Sequence, residues 1–268
     1  MSSLRLMTYN LRVAVADDAE PPWTVRREAV ASMIRFHAPD VVGVQEALRP
    51  MIADLDDRLE EYTWVGRGRG ADQNEHCALL YRPARVHLDR HDTFWLSTTP
   101  QVPGSRSWNA AYPRIATWAA LTDDRTDRTL VVVNTHFDHE SARARRRSAR
   151  VLGERVDALA GAGPLAVIGD LNTPPRTPPY RHLVAPDGPA LRDALHESAQ
   201  PHHGPVATFN GFEDQVQSGA RIDYVFVRGP LAVRRHGTLT DRWNGHFPSD
   251  HCPVVADVTL RDGAAEPA

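Results

Sequence analysis

The chain contains no lysine: all 31 of its basic residues are arginine. That absence excludes a Walker-type phosphate loop and any Schiff-base chemistry, both of which need the amine. Cysteine is almost as scarce. The two present, Cys77 and Cys252, cannot build a disulfide framework and read as small buried hydrophobes. No apolar run approaches the roughly 20 residues needed to cross a membrane. The strand-like L-R-L-M-T-Y-N starts at Leu4, which leaves no room for a signal peptide. A soluble cytoplasmic protein is therefore expected, with no membrane association and no obligate protein partner. Excess positive charge is missing as well: the net charge is −3. A protein that grips nucleic acid nonspecifically usually carries a basic face, and the overall charge gives no such support. Linkers, low-complexity blocks and internal repeats are also absent. The 268 residues are thus expected to form one domain over 1–261, followed by a frayed polar tail over 262–268.

Strand-like runs are spread along the whole length. They are expected at 4–10, 40–46, 62–66, 76–81, 91–96, 115–122, 129–135, 164–170, 221–227, 231–236 and 253–259. Helices are fewer. One is expected over 24–37, capped by Thr24, with Val25, Ala29, Met33 and Phe36 on its buried face. Others are expected over 50–59, 141–160 and 180–184. Many strands with few helices between them predict an α+β fold: a four-layer α/β/β/α sandwich of two packed mixed sheets with outer helices.

Several of these strands end in a polar group. In V-I-G-D-L-N the apolar run closes on Asp170 and Asn172, two residues apart and so on one side of a strand. The same occurs at Asn10 after Leu6 and Thr8, at Glu46 after Val42 and Val44, and at His136 after Asn134. Asp223 opens the strand R-I-D-Y-V-F, and the Asp250–His251 pair precedes the last strand. Any one of these alone is more often a turn residue than a ligand. Six strand ends carrying amides, carboxylates and histidines exceed what turns require. Carboxylate and amide oxygens suit a hard cation, Mg²⁺ or Mn²⁺, and no Cys/His cluster suits zinc. Histidines and an arginine beside such a cation suit a phosphate, which predicts metal-assisted phosphoester hydrolysis.

The ordered set T-Y-N, V-Q-E, N-E-H-C-A-L-L-Y-R, Y-P-R, N-T-H, G-D-L-N, R-I-D-Y and S-D-H resembles the endonuclease/exonuclease/phosphatase superfamily, from Leu4 to about Thr259. The resemblance implies roles residue by residue. Glu46 would be the principal metal ligand, with Asn10 and Asp250 beside it. Asp170 would orient or deprotonate the attacking water, and Asn172 would hold the phosphate or metal. His251, backed by Asp223, would contact the scissile phosphate. His136 would be a second phosphate-contacting histidine, supported by Glu75, and Arg114 would bind phosphate.

Departures from the pattern bear on the substrate. S-G-A-R-I-D-Y stands where inositol polyphosphate 5-phosphatases would carry a P-A-W-C-D-R-like segment. The basic and aromatic DNA-kinking loops of abasic-site endonucleases are not evident. F-W-L-S-T-T-P, W-N-A-A-Y-P-R-I-A-T-W, N-T-H-F-D-H and T-F-N-G-F resemble a compact bacterial subgroup similar to deadenylase catalytic domains, some of whose members are sugar-phosphate phosphatases. A Mg²⁺-dependent phosphomonoesterase on a small phosphorylated metabolite, a sugar or nucleoside phosphate, is the favoured expectation. The alternatives are a 3′-exonuclease-like nuclease on DNA or RNA and a binding protein that has lost catalysis. Specificity candidates are Trp108, Asn109, Asp138, His139, Arg143, Phe209 and Phe212. The other arginines of R-A-R-R-R-S-A-R are expected on a solvated helix face.

Overall fold

The computed structural model describes residues 3–14, 21–70, 74–213, 216 and 219–261. The tail expected over 262–268 lies outside the described residues. Two six-stranded mixed sheets pack face to face. The first runs β11 (Leu231–Thr238), β12 (Val254–Leu260), β1 (Leu4–Asn10), β2 (Val41–Ala47), β4 (His76–Tyr81), β3 (Thr63–Val65). The second runs β5 (Val86–Trp95), β6 (Ile115–Asp123), β7 (Arg128–His136), β8 (Leu165–Asp170), β10 (Asp223–Arg228), β9 (Arg192–Asp193). Within them β1 and β2 are parallel, as are β7 and β8.

The strands are buried on both faces because each sheet is covered twice. Leu6, Val41 and Leu79 meet Val132, Ile168 and Val225 between the sheets. Outside the first sheet, Tyr9, Val42 and Val44 pack against α1 (Trp23–His37) and α2 (Arg49–Asp56). Outside the second, Val133 and Val167 pack against α3 (Ala142–Ala160) and α4 (Pro178–Val184). These three apolar layers make the fold the four-layer α/β/β/α sandwich, and each fully buried aliphatic side chain in them contributes about 1.5–3 kcal/mol. Among the described residues, no helix is long and apolar enough to cross a membrane.

Two helix expectations need correcting. Helix α1 is capped by Pro22 with no side-chain bond, so Thr24 is not its N-cap. Its buried face carries Trp23, Arg26, Val30, Met33 and Ile34, whereas Val25 and Phe36 are exposed. The apolar pattern misled because a buried arginine holds a core position. Helix α3 begins as expected, with the Ser141 side chain accepting from Ala144 N at 3.1 Å. Strand β5 starts five residues before its expected position, since its charged first half is an exposed sheet edge. The short β9 and α5 (Ala194–Glu197) have no apolar period to announce them.

Candidate active site

The polar residues singled out at the strand ends, Asn10, Glu46, His136, Asp170, Asp223 and the Asp250–His251 pair, come to one end of the sandwich. There the two sheets line a cavity of about 680 Å³. Asp170 lies at its base, 1% exposed, with Asn10 and Asp223 buried behind the wall. The parallel pairing of β7 and β8 sets His136 directly opposite Asp170. Gly169 makes that pairing possible: its φ is +146°, and a Cβ there would collide with the Thr135 carbonyl. One layer down, Asn134 donates to the Val44 and Ala78 carbonyls at 2.9 and 2.8 Å and accepts from Gln45 Nε2 at 2.6 Å, tying the sheets together. A Cβ at Gly43 would fall 2.7 Å from Asn134 Cγ, so only glycine admits this bridge.

Two of the site residues leave the strand period. Glu46 has φ 59° at a bulge between Val44 and Ala47. That twist turns its carboxylate to Asn10 Nδ2 at 3.0 Å and Val13 N at 2.8 Å. Asn172 has φ 46°, and its N–H donates to Asp170 Oδ1 at 2.7 Å, so it belongs to an Asx turn rather than to a strand. Asp170 Oδ2 accepts from Asn10 Nδ2 at 3.1 Å. The same oxygen lies 3.5 Å from His136 Nε2 and 3.8 Å from His251 Nε2. Burial, reinforced by the Asp223 charge, pushes the Asp170 carboxyl up to about 7.

The surroundings of the two histidines push their pKa values in opposite directions. His251 Nδ1 lies 2.9 Å from Asp223 Oδ2, which also accepts from Thr208 Oγ1 at 2.6 Å. Burial works against its positive charge, but Asp223 and then Asp170 outweigh it and hold His251 well above its ordinary range. His136 faces a cation instead. Arg114 Nη1 lies 3.1 Å from its Nδ1, and Arg114 Nη2 lies 2.8 Å from His139 Nδ1. Burial, then Arg114, holds His136 well below its ordinary range. A guanidinium only donates, so Nδ1 accepts. Asn172 Nδ2 also approaches His136, at 2.9 Å from Nε2, while donating to the Phe137 carbonyl. A neutral imidazole has one free lone pair, and the charged guanidinium has the stronger claim to it. That assigns the proton to Nε2, facing Asp170, and leaves the Asn172 amide bonded to the Phe137 carbonyl rather than to the ring.

Several expected positions differ. Glu75 does not support His136. Its carboxylate forks onto Arg69, with Nη1 at 2.8 Å and Nη2 at 2.7 Å, and Arg114 takes the place beside the histidine. Arg114 therefore spends two nitrogens on imidazoles rather than offering both to phosphate. Asp138 is fully buried and accepts from the N–H groups of Ala111, Glu140 and Ser141, which makes it a loop organiser. Trp108 and Asn109 lie outside the cavity lining, in consecutive left-handed conformations. Arg143 also lies outside it, on an exposed α3 face with Arg146, Arg147 and Arg150. Phe212 packs under Arg26 instead. Phe209 does line the cavity, edge-on to His251 at 5.1 Å, and His139 lines it as well.

Three residues escaped the sequence reading. Arg26 is 3% exposed and donates to the carbonyls of Leu11, Arg12 and Pro248, joining the segments that carry Asn10 and Asp250. Arg69 and Tyr112 form part of the cavity wall. Only their proximity to Glu75 and Arg114 in sequence could have drawn attention to them.

The donor chemistry fits a hard divalent cation. Glu46 opens onto the cavity with Asp250 nearby, and burial then the Glu46 charge raise the Asp250 carboxyl, as expected of two acids awaiting a positive charge. Asn10 presents its amide nitrogen to both Glu46 and Asp170, and its Oδ1 accepts from Arg12 N at 3.0 Å. It thus serves the acids as arranged rather than offering a ligand oxygen. Asp170, Asp223 and His251 also approach one another within 4.8 Å. There Asp223 Oδ2 is already committed to His251 and Thr208, although its Oδ1 has no partner, whereas Glu46 and Asp250 both open directly onto the cavity.

Comparison with known proteins agrees with this geometry. The family model for the Endonuclease/Exonuclease/phosphatase family matches residues 7–251. The chain belongs to that family. It is accordingly a phosphoric ester hydrolase. Among solved structures, an endonuclease/exonuclease/phosphatase from Bacteroides vulgatus is 31% identical over 97% of this chain and 100% of its own, with a TM-score of 0.91. The Bacteroides thetaiotaomicron mannosyl-6-phosphatase is also 31% identical, over 96% of this chain and 100% of its own, with a TM-score of 0.91. The human Nocturnin catalytic domain shares the fold at 19% identity and a TM-score of 0.72, covering 97% of this chain and 95% of its own. No curated protein sequence matches the chain.

Proposed function

We propose that the chain is a Mg²⁺-dependent phosphomonoesterase of the cytoplasm, with Mn²⁺ as a substitute, acting on a small phosphorylated metabolite such as a sugar or nucleoside phosphate. The observation that carries this reading is Asp170: a buried acid titrating near neutrality, between one charged and one neutral histidine, at the base of a small-molecule-sized cavity. The likeness to the mannosyl-6-phosphatase supports a monoester substrate.

The geometry supports the following roles. Asp170 takes a proton from the attacking water, and its elevated pKa suits a base working at neutral pH. His251, held charged by Asp223, neutralises charge building on the phosphoryl oxygens. His136 hydrogen-bonds one of those oxygens through Nε2–H with Asn172 beside it, and the departing alkoxide takes its proton from the His251 imidazolium. Glu46 and Asp250 would hold the cation, which would supply Lewis-acid polarisation of the phosphoryl group. Asn10 keeps Glu46 and Asp170 apart and aligned through its two short contacts. Buried free thiols at Cys77 and Cys252 suit a reducing compartment.

The test is phosphate release in Mg²⁺, with EDTA controls, from sugar phosphates, nucleotides, phospholipid head groups and a labelled single-stranded oligonucleotide. Release from a small monoester with the oligonucleotide intact is the expected result. Oligonucleotide shortening with little monoester turnover would replace this reading with the nuclease one.

A further inference from the structure

We infer that Arg69, Glu75 and Tyr112, backed by His139, form a hydroxyl-reading subsite for the alcohol portion of the substrate, and that this portion is a monosaccharide ring. The inference rests on the monoesterase reading and names the substrate class for the same cavity.

The Arg69–Glu75 fork lies in the cavity wall with its side chains 12% and 16% exposed. It is fixed at every joint. Arg69 N donates to Glu75 O at 2.9 Å, and Trp95 Nε1 donates to Arg69 O at 2.7 Å. The guanidinium lies 4.2 Å from the centre of the Tyr112 ring, and Tyr112 stacks on His139 at 6.0 Å with an interplanar angle of 14°. His139 is itself held by Arg114. The result is a rigid column, although Tyr112 remains 47% exposed.

Its chemistry selects the ligand. The fork is a neutral ion pair, so it offers no net charge to a second phosphate, and its carboxylate disfavours a polyanion. Each carboxylate oxygen still has a lone pair, and each Nη still has a hydrogen. A guanidinium nitrogen beside a carboxylate oxygen matches adjacent hydroxyls, one accepting and the next donating. Tyr112 adds an apolar edge and a hydroxyl, the mixed surface that a sugar ring presents in return. A nucleobase would find the column's faces already occupied by Arg69 and His139.

The experiment compares kcat/KM for a hexose 6-phosphate, n-propyl phosphate and adenosine 5′-monophosphate in Mg²⁺. The hexose and propyl esters both release primary alcohols, so their ratio reads ring contacts rather than leaving-group chemistry. Wild type should prefer the hexose ester to both others. Glu75→Gln and Tyr112→Ala should each lower the hexose-to-propyl ratio about tenfold or more, chiefly through KM for the hexose ester. Tyr112 is half exposed, so its variant keeps the test readable if Glu75→Gln fails to fold. An unchanged ratio in the folded variants, or a preference for the nucleotide, would overturn the subsite while leaving the monoesterase standing. If wild type releases phosphate from no monoester, both readings fall together.

Discussion

His136 and His251 flank the same carboxylate oxygen, at 3.5 and 3.8 Å, yet they are built as opposites. One stands on the second sheet at the end of β7, with a guanidinium at Nδ1. The other stands in the loop before β12, with a carboxylate at Nδ1. Burial is nearly equal for the two, so desolvation does not separate them. The sign of the surrounding charges does, with the neighbour at Nδ1 foremost among them. The comparison shows how one residue type supplies both a charge and a neutral hydrogen-bond donor within one cavity.

Removing the shared partner has the largest expected effect. Asp170→Asn should reduce kcat by about 10³–10⁴-fold, since it deletes the base between the histidines. Circular dichroism should report an intact fold, and retention of most activity would end the proposed mechanism. Next comes the carboxylate behind His251. Asp223→Asn leaves the hydrogen-bond geometry but removes the charge, and should cost about 10²–10³-fold in kcat. The ¹⁵N resonances of His251 should then move from imidazolium to neutral values near pH 7. A smaller effect, about 10–100-fold, is expected from Arg114→Met, which frees Nδ1 of His136 from its donor. Asp138 keeps its three backbone donors in that variant, so the loop stays folded. The same NMR measurement should show His136 losing its fixed tautomer. Unchanged His136 resonances would show that Arg114 does not set the difference between the two rings.

The smallest effect is thermodynamic, and its sign differs between the rings. His136 titrates in the folded chain below the unfolded value of about 6.5, so its contribution weakens stability as pH falls through that value. His251 titrates above it, so its stabilisation is full below about 6.5 and is lost as pH rises through the folded pKa. In EDTA, His136→Gln should flatten the acid side of a Tm-against-pH curve by a few degrees. His251→Gln should flatten the alkaline side, and matching changes on one side would break the comparison.

Much of this was readable in advance where a regular period governs. Strand β4 runs over the residues expected, and Asn10, Glu46, His136, Asp170, Asn172, Asp223, Asp250 and His251 gather at one end of the sandwich. The period fails where the backbone turns left-handed. Glu46 and Asn172 reach the site through positive φ, which alternation does not reveal. Pairings between distant segments were equally hidden. Glu75 goes to Arg69 because both close the same loop, and Arg114 reaches His136 across adjacent strands. Arg26 escaped notice because a buried arginine resembles an exposed one until its carbonyl partners are known. Trp108 drew attention as an aromatic and Arg143 for its place one turn after N-T-H-F-D-H, and the fold puts both outside the cavity lining.

The pairing of His136 with Asp170 across β7 and β8 has a practical consequence. Their separation is inherited from the spacing of two hydrogen-bonded strands and fixed by the glycine before the acid, with no contribution from loop length. The column of Arg69, Glu75 and Tyr112 hangs from segments outside that lattice. Reactive frame and wall are therefore separable parts. Random libraries at 69, 75 and 112 could redirect the protein to new alcohols while the strand pair goes on delivering the same proton transfer.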